Sequence, residues 1–324
     1  MKHFIHLVFI ASLLASCNTK DEAPDNTNYR EEMRSFIIGI SEYAKGVNPN
    51  FVIIPQNGIE LISINGEADG PLHAAYDMAI DAHGQEDLFY GYNEDNVTTP
   101  TQESEYIQGF LNKSLQAGNR ILVIDYCSTP ANMLDSYELN EAASYVGFAA
   151  DERNLTTIPS YPSTIWQVSS SLVTSLPIVQ NFLYLLNMEN YPSKTNFINQ
   201  VRATNYDLLV IDLFFNDGMP FTASEITQLR EKANGGQRMV VCYMSIGEAE
   251  DYRYYWQSNW STDKPDWLDA ENPDWAGNYK VKYWNADWQS IIYGNNSSYT
   301  KMILDAGFDG AYLDIIDGYE YFED

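Results

Sequence analysis

Eight short apolar runs, each followed by polar or aromatic residues, constrain this chain more than any other feature. FVIIPQ covers 51–56, DLFYGY 87–92, ILVIDY 121–126, FLYLLN 182–187, DLLVID 207–212, RMVVCYMSIG 238–247, VKYW 281–284 and GAYLDI 310–315. None alternates strictly between apolar and polar, which is the pattern of a strand covered on both faces. Helical patterns fill several of the gaps. In 29–47, Met33, Phe36, Ile37, Ile40 and Tyr43 fall on one helical face; 101–119 carries a glycine stop at Gly118; 223–236 ends on two glycines; and 287–307 reads as helix in two halves. Alternating strands and helices build parallel βαβ units, and eight of them close into a (β/α)8 TIM barrel, the fold class expected here. An open doubly wound sheet is the alternative, but no GxGxxG follows any run. Residues 151–180 break the rhythm, with no clear period and three prolines, and are long for a connection in a compact domain.

The charge balance narrows the partners. Against 45 acidic residues stand 18 lysines and arginines, a net charge of −27. Such a field repels nucleic acid and accepts a neutral or cationic ligand. His73 and His83 are the only histidines beyond the N-terminal segment, so no histidine-rich metal centre is expected, nor any cofactor. Cys127 and Cys242 each close an apolar run without a CxxC partner and read as two buried thiols.

The first residues, MKHFIHLVFIASLLASC, are a targeting segment: Lys2 and His3 precede an apolar run from Phe4 to Ala15 that is too short to span a bilayer. Leu14-Ala15-Ser16-Cys17 resembles a bacterial lipobox, which implies cleavage before Cys17 and lipidation of its thiol. Residues 18–28 then form a polar tether, in which Lys20-Asp21-Glu22 resembles a surface-export signal of Bacteroidetes lipoproteins. The expectation is an outer-membrane, surface-exposed lipoprotein held by its lipid alone, with one monomeric domain over 29–324.

Several longer blocks resemble the barrels of glycoside hydrolase family 114, in particular its bacterial and archaeal branch of endo-α-1,4-polygalactosaminidase-like proteins. They are FVIIPQNG (51–58), GQEDLFYG (84–91), ILVIDYC (121–127), YDLLVID (206–212), VVCYMSIGEAEDYRYYW (240–256), WLDAENPDWAGNYKVKYWNADWQSIIYG (267–294) and GFDGAYLDIIDGYEYF (307–322). Their order differs from the family's, in which YDLLVID and SIGEAEDY come early and the helix followed by PQNG comes after LDIIDGYEY. The difference implies a circular permutation, with 151–180 joining the family's usual ends and with Phe322–Asp324 lying close to Asn28–Glu31.

Glycoside hydrolysis needs two carboxyl groups flanking the scissile bond, one giving a proton and the other attacking carbon or activating water. The resemblance places an essential aspartate at Asp314, expected as nucleophile or base, and a glutamate at Glu86, expected as the acid, with Asp87 as its neighbouring competitor. Candidates for substrate contact are Asp212, Asp317, Asp125, Tyr126 and Glu248, the amides Gln56 and Asn57, and the aromatics Tyr90, Tyr243, Tyr283 and Trp284, which lie at or near the ends of apolar runs. The family implies an α-linked, galactosamine-containing polysaccharide as substrate. A non-catalytic glycan-binding lipoprotein is the alternative. A barrel for phosphorylated sugars is disfavoured, because no glycine-rich phosphate loop is present.

Overall fold

The computed structural model describes residues 27–323. The lipidation site at Cys17 and the tether up to residue 26 lie outside the described residues. In chain order the elements are α1 (Tyr29–Val47), β1 (Val52–Pro55), α2 (Ala74–Ala79), β2 (Ala82–Glu86), α3 (Thr101–Ala117), β3 (Arg120–Tyr126), α4 (Pro130–Ala142), β4 (Val146–Ala150), β5 (Phe182–Tyr184), α5 (Lys194–Arg202), β6 (Leu208–Asp212), α6 (Ala223–Leu229), β7 (Met239–Ser245), β8 (Glu248–Glu250), β9 (Leu268–Glu271), β10 (Asn278–Val281), α7 (Ala286–Ile292), α8 (Tyr299–Ala306), β11 (Gly310–Asp314) and α9 (Glu320–Glu323). No helix among the described residues is long and apolar enough to cross a membrane.

The protein is a mixed α/β structure built on parallel strands. One sheet has the order β1-β11-β7-β6-β5 and a second the order β2-β3-β4, and every pair within them is parallel. A parallel bridge between Gln56 and Gly84 joins the two sheets at β1 and β2. At the other junction, the rings of Phe148 on β4 and Phe182 on β5 have centroids 5.5 Å apart. The five-stranded sheet curls strongly. Its two edge strands are β1 and β5, yet the Tyr184 hydroxyl at the end of β5 donates to Gln56 Oε1 just past β1, at 3.1 Å. The inside of this curl is filled by side chains: Tyr184 and Tyr312 lie with centroids 5.2 Å apart, and a Cβ on Gly84 would fall 2.0 Å from the Tyr312 hydroxyl. Gly84 is therefore fixed by the ring that fills the space beside it.

Two of the expected strands are corrected. The run at 87–92 is a loop, and the strand is the preceding AHGQE at 82–86. The loop is held by Asp125, whose Oδ1 accepts from the N–H groups of Phe89 (2.8 Å) and Tyr90 (3.2 Å). The run at 281–284 is not a strand of the main sheets. Only Val281 belongs to a strand, β10, which pairs antiparallel with β8 and β9 in a small separate sheet. β4 takes the vacant place. Its sequence, VGFAA, is too rich in small residues to stand out as an apolar run, and Gly147 leaves room for Asn140 of α4, from which a Cβ there would lie 3.0 Å. The 223–236 helix is shorter than its pattern, ending at Leu229. Residues 151–180 contain little regular structure, as expected, beyond one tight turn at Leu176–Ile178.

The two ends of the described chain meet. Asn28 caps α1 by accepting from the Glu31 N–H at 3.1 Å. Arg30 pairs with Glu323 at 3.1 Å, and the Phe322 ring packs 5.6 Å from Tyr29 and 4.7 Å from Trp284. Phe322→Ala removes the centre of this half-buried aromatic cluster. It is expected to lower unfolding stability by roughly 1–3 kcal/mol, read as a shift of the chemical denaturation midpoint. An unchanged midpoint would show that the end contacts do not contribute.

Candidate functional site

Side chains alternate faces along a strand, and in these strands the alternation decides who meets. Gln56, Glu86, Tyr126, Tyr184, Tyr243 and Asp314 share the enclosed side at the carboxyl ends of their strands, as their mutual hydrogen bonds show. Gln56 Nε2 donates to Glu86 Oε2 at 2.8 Å and to Asp314 Oδ1 at 3.0 Å. The two carboxyl groups are thus bridged by one nitrogen, and these oxygens cannot be farther apart than the two contacts laid end to end. Asn57 Nδ2 also donates to Glu86 Oε2 (3.2 Å), and the Tyr126 hydroxyl donates to Glu86 Oε1 (2.5 Å). On the other acid, the Tyr243 hydroxyl donates to Asp314 Oδ2 (2.6 Å) and the Ile315 N–H to Oδ1 (2.8 Å).

Burial raises both carboxyl groups above the usual acid range. For Glu86, desolvation comes first and the charge of Asp314 adds to it, while the Tyr126 hydrogen bond opposes. For Asp314, desolvation is again first; the Tyr243 hydrogen bond opposes it, and the charges of Asp317 and Glu248 add to it. Asp317, just beyond Asp314, is pushed up to about 7 by burial and by the charges of Glu320 and Glu86. A cluster of this kind favours one ionised and one protonated carboxyl group near neutral pH.

Asp87 does not share the site. It turns away in a left-handed conformation (φ 58°) and pairs with Arg153 at 2.8 Å, whereas Glu86 faces Asp314. The expectation of substrate contact is corrected for Asp125, because Asp125 and Tyr126, as neighbours on a strand, point to opposite faces. Tyr126 reaches Glu86, while Asp125 is fully buried against α4, accepting from the Ser136 hydroxyl (2.6 Å) and Asn140 Nδ2 (3.1 Å). Three aromatics are likewise occupied elsewhere. The Tyr90 hydroxyl donates to Asp135 at 2.6 Å, Tyr283 is buried and donates to the Tyr29 carbonyl at 2.8 Å, and Trp284 packs on Tyr29 and Phe322. Gln56, expected to meet sugar hydroxyls, is only 2% exposed, and its amide is engaged by the two acids and Tyr184.

Of the remaining candidates, Glu248 lies near the pair and Asp212 two strands away. Glu248 is fully buried; its Oε1 takes Lys280 Nζ at 2.7 Å and Asn272 Nδ2 at 2.8 Å, and its Oε2 has no hydrogen-bond partner among the described residues. Asp212, at the end of β6, pairs with Arg253 at 2.7 Å, and burial raises its carboxyl. Sequence reading missed Tyr184 and Arg253. Tyr184 ends β5 in register with Val210, two residues before Asp212, so the two project to the same side; a polar-tipped ring inside an apolar run was the available signal. No group of three or more metal-ligating side chains occurs among the described residues.

The molecule is therefore a parallel α/β protein with a half-buried carboxyl pair at strand ends. Residues 164–324, about half of the chain, match the family model described as glycoside-hydrolase family GH114. This half of the chain belongs to that family. Asp314 and Tyr243 lie inside the matched region; Gln56, Glu86 and Tyr126 lie before it. Similar proteins include an uncharacterized protein of Methanocaldococcus jannaschii, 38% identical over 143 residues, which cover 43% of this chain and 37% of that one. An uncharacterized protein of Deinococcus radiodurans is 41% identical over 123 residues (38% of this chain, 37% of that one). One of Thermotoga maritima is 38% identical over 122 residues (38% of this chain, 36% of that one). The chain thus spans little more than a third of the length of each of these relatives.

The raised Asp317 carboxyl makes a stability prediction. With a folded value of about 7 above the ordinary unfolded aspartate value, its contribution is fully present at low pH and is lost as pH rises towards 7. Asp317→Asn has no such loss. Its melting temperature should match wild type near pH 4 and exceed it by roughly a few degrees at pH 8. Parallel melting curves across that range would contradict the assignment.

Proposed function

We propose that this chain is a glycoside hydrolase that cleaves an α-linked, galactosamine-containing polysaccharide with Glu86 and Asp314. The single observation behind this reading is the Gln56 bridge, which holds the two carboxyl groups within reach of one nitrogen. Carboxyl groups about 5 Å apart suit a retaining reaction, whereas an inverting one needs roughly 6.5–9.5 Å. In the first step Asp314 attacks the anomeric carbon, the glycosidic C–O bond breaks, and Glu86 gives its proton to the leaving oxygen. In the second step Glu86 takes a proton from water, the hydroxide oxygen bonds to the anomeric carbon, and Asp314 leaves. Glu248 and Asp317 border this pair with further carboxyl groups, and the Asn57 amide keeps one N–H beyond its bond to Glu86 for a sugar hydroxyl. That environment, and the net charge of −27, favour a sugar bearing ammonium groups.

The scaffold in this reading is a closed (β/α)8 barrel, circularly permuted relative to its family. Contact of Phe148 with Phe182 and of Tyr184 with Gln56 supports closure. The one-sided family match supports the permutation, since a collinear comparison recovers only one part of a rearranged chain. Lipidation at Cys17 would hold the enzyme at the outer membrane, with the polysaccharide as its partner and no nucleic acid or cofactor.

Glu86→Gln and Asp314→Asn should each lower kcat/KM on partially deacetylated polygalactosamine by roughly 10²–10⁴-fold. Glycan affinity without turnover in the wild-type protein would favour a binding lipoprotein instead. The pH profile should be bell-shaped, with Asp314 ionised and Glu86 protonated in the active form. Tyr243→Phe removes a bond that lowers the Asp314 value, so the acidic limb should move to higher pH. Tyr126→Phe should move the alkaline limb to higher pH for the same reason at Glu86. Limbs that stay fixed would remove these roles.

A rearranged gene tests the scaffold. Joining Glu323 to Asn28 by a short glycine–serine linker and opening the chain within 151–163 restores family order. The product should fold and keep activity within about tenfold. An insoluble or molten product would count against the permutation.

A further inference from the structure

A cavity of about 320 Å³ opens where β5, β6 and β8 end, lined by Asp212, Phe214, Tyr252, Arg253 and Tyr254 among others. Asp212 registers with Tyr243 of β7, and β7 lies beside β11, which ends at Asp314. The cavity is thus two strand spacings, roughly 10 Å, from the acid pair on the same strand-end face. It is close enough for one polymer chain to occupy both places, and too far for a single sugar to do so.

The chemistry of its wall is that of a built platform. Tyr252 is 64% exposed and Tyr254 44% exposed. Tyr252 is nevertheless anchored. Its hydroxyl donates to Glu250 Oε1 at 2.5 Å, and the Arg253 guanidinium lies 5.1 Å from its ring centroid. Arg253 is itself locked by Glu250 and by Asp212, the latter at 2.7 Å. A buried ion network therefore holds an exposed ring in one orientation before any ligand arrives, which reduces the ordering cost of binding. Asp212 and Glu250 outnumber Arg253 by one charge, so a cationic or hydroxyl-rich ligand is favoured over an anion. Exposed aromatic faces take the C–H face of a sugar ring much as other apolar surface does.

We infer that this cavity is a remote subsite for one sugar unit of the polysaccharide, with Tyr252 and Tyr254 as its stacking surface. The inference rests on the glycosidase reading above. It makes the protein prefer long chains over short ones.

The test compares kcat/KM on long, partially deacetylated polygalactosamine with kcat/KM on its size-fractionated trimer, using the full chain. Tyr252→Ala should lower the long-to-short ratio about five- to tenfold. Tyr252→Phe, which keeps the ring, should retain at least half of the wild-type ratio. A wild-type ratio in Tyr252→Ala overturns the subsite, as does an equal loss in both variants, which would assign the effect to the hydroxyl. Crystals of Asp314→Asn soaked with a long galactosamine oligosaccharide give a second reading. A sugar ring on Tyr252 supports the subsite, and a ligand confined to the acid pair overturns it. Wild-type turnover with an unchanged ratio rejects this inference alone, whereas absence of both binding and turnover in wild type rejects the glycosidase reading and the subsite together.

Discussion

Two carboxyl groups share one amide nitrogen, and the surrounding structure is arranged around that fact. Gln56 can bridge Glu86 and Asp314 only if its nitrogen faces them. Turned over, the amide would present its oxygen to two acids. The Tyr184 hydroxyl, donating to Gln56 Oε1 from the far edge of the sheet, selects the productive orientation. Each acid also receives a tyrosine hydroxyl on its other oxygen, from Tyr126 and Tyr243 respectively. Burying like charges side by side is unfavourable, and these donors offset part of it while leaving both groups raised. One protonated and one ionised carboxyl group then arise from one environment, because ionising the first hinders ionising the second.

Backbone geometry reinforces the same arrangement. Gln56, Glu86 and Asp314 are each followed by a residue in the left-handed region: Asn57 (φ 61°), Asp87 (φ 58°) and Ile315 (φ 57°). Asparagine and aspartate tolerate this conformation, but a β-branched isoleucine adopts it at a cost of about 1–2 kcal/mol. Two of the three turns are tied to a neighbouring strand: the Asn57 N–H donates to the Gly84 carbonyl and the Asp87 N–H to the Ile124 carbonyl, both at 2.9 Å. At Ile315 the partner is Asp314 itself, whose Oδ1 is fixed by that N–H. Gly247 permits the turn, since a Cβ there would fall 2.0 Å from the Ile315 carbonyl oxygen. Strain held beside three neighbouring site residues is consistent with side chains positioned in advance of a ligand.

How much of this could be read from the sequence depends on range. Apolar runs identified β1, β3, β5, β6, β7 and β11, because strands covered on both faces need little else. AHGQE and VGFAA escaped, since glycine and alanine pack well only against particular neighbours, Tyr312 and Asn140, which no local pattern names. Misplacing β2 put Glu86 before a strand rather than at its end, although the residue itself was still singled out. Naming both Asp125 and Tyr126 as substrate contacts passes over the two-residue alternation, which makes one a buried anchor and the other a partner of Glu86. Gln56 was recognised as a polar group at a strand end. Its bridging geometry was invisible, because it arises from partners 30 and 258 residues away.

The turn that carries Asp317 shows how the site is secured by segments distant in sequence. It runs through Ile316–Tyr319, and Tyr319 is fully buried. The Tyr319 hydroxyl donates to Glu60 Oε2 at 2.9 Å, in the segment that follows β1. The Arg30 guanidinium lies 4.9 Å from the Tyr319 ring centroid and pairs with Glu323. α1 and the segment after β1 therefore clamp the backbone immediately beyond Asp314. Since Gln56 directly follows β1, the same region orients the bridging amide and steadies the turn beside Asp314. Neighbourhood around the sheet, rather than order along the chain, is what assembles the acid pair: Gln56, Glu86 and Asp314 come from three strands that are adjacent in space.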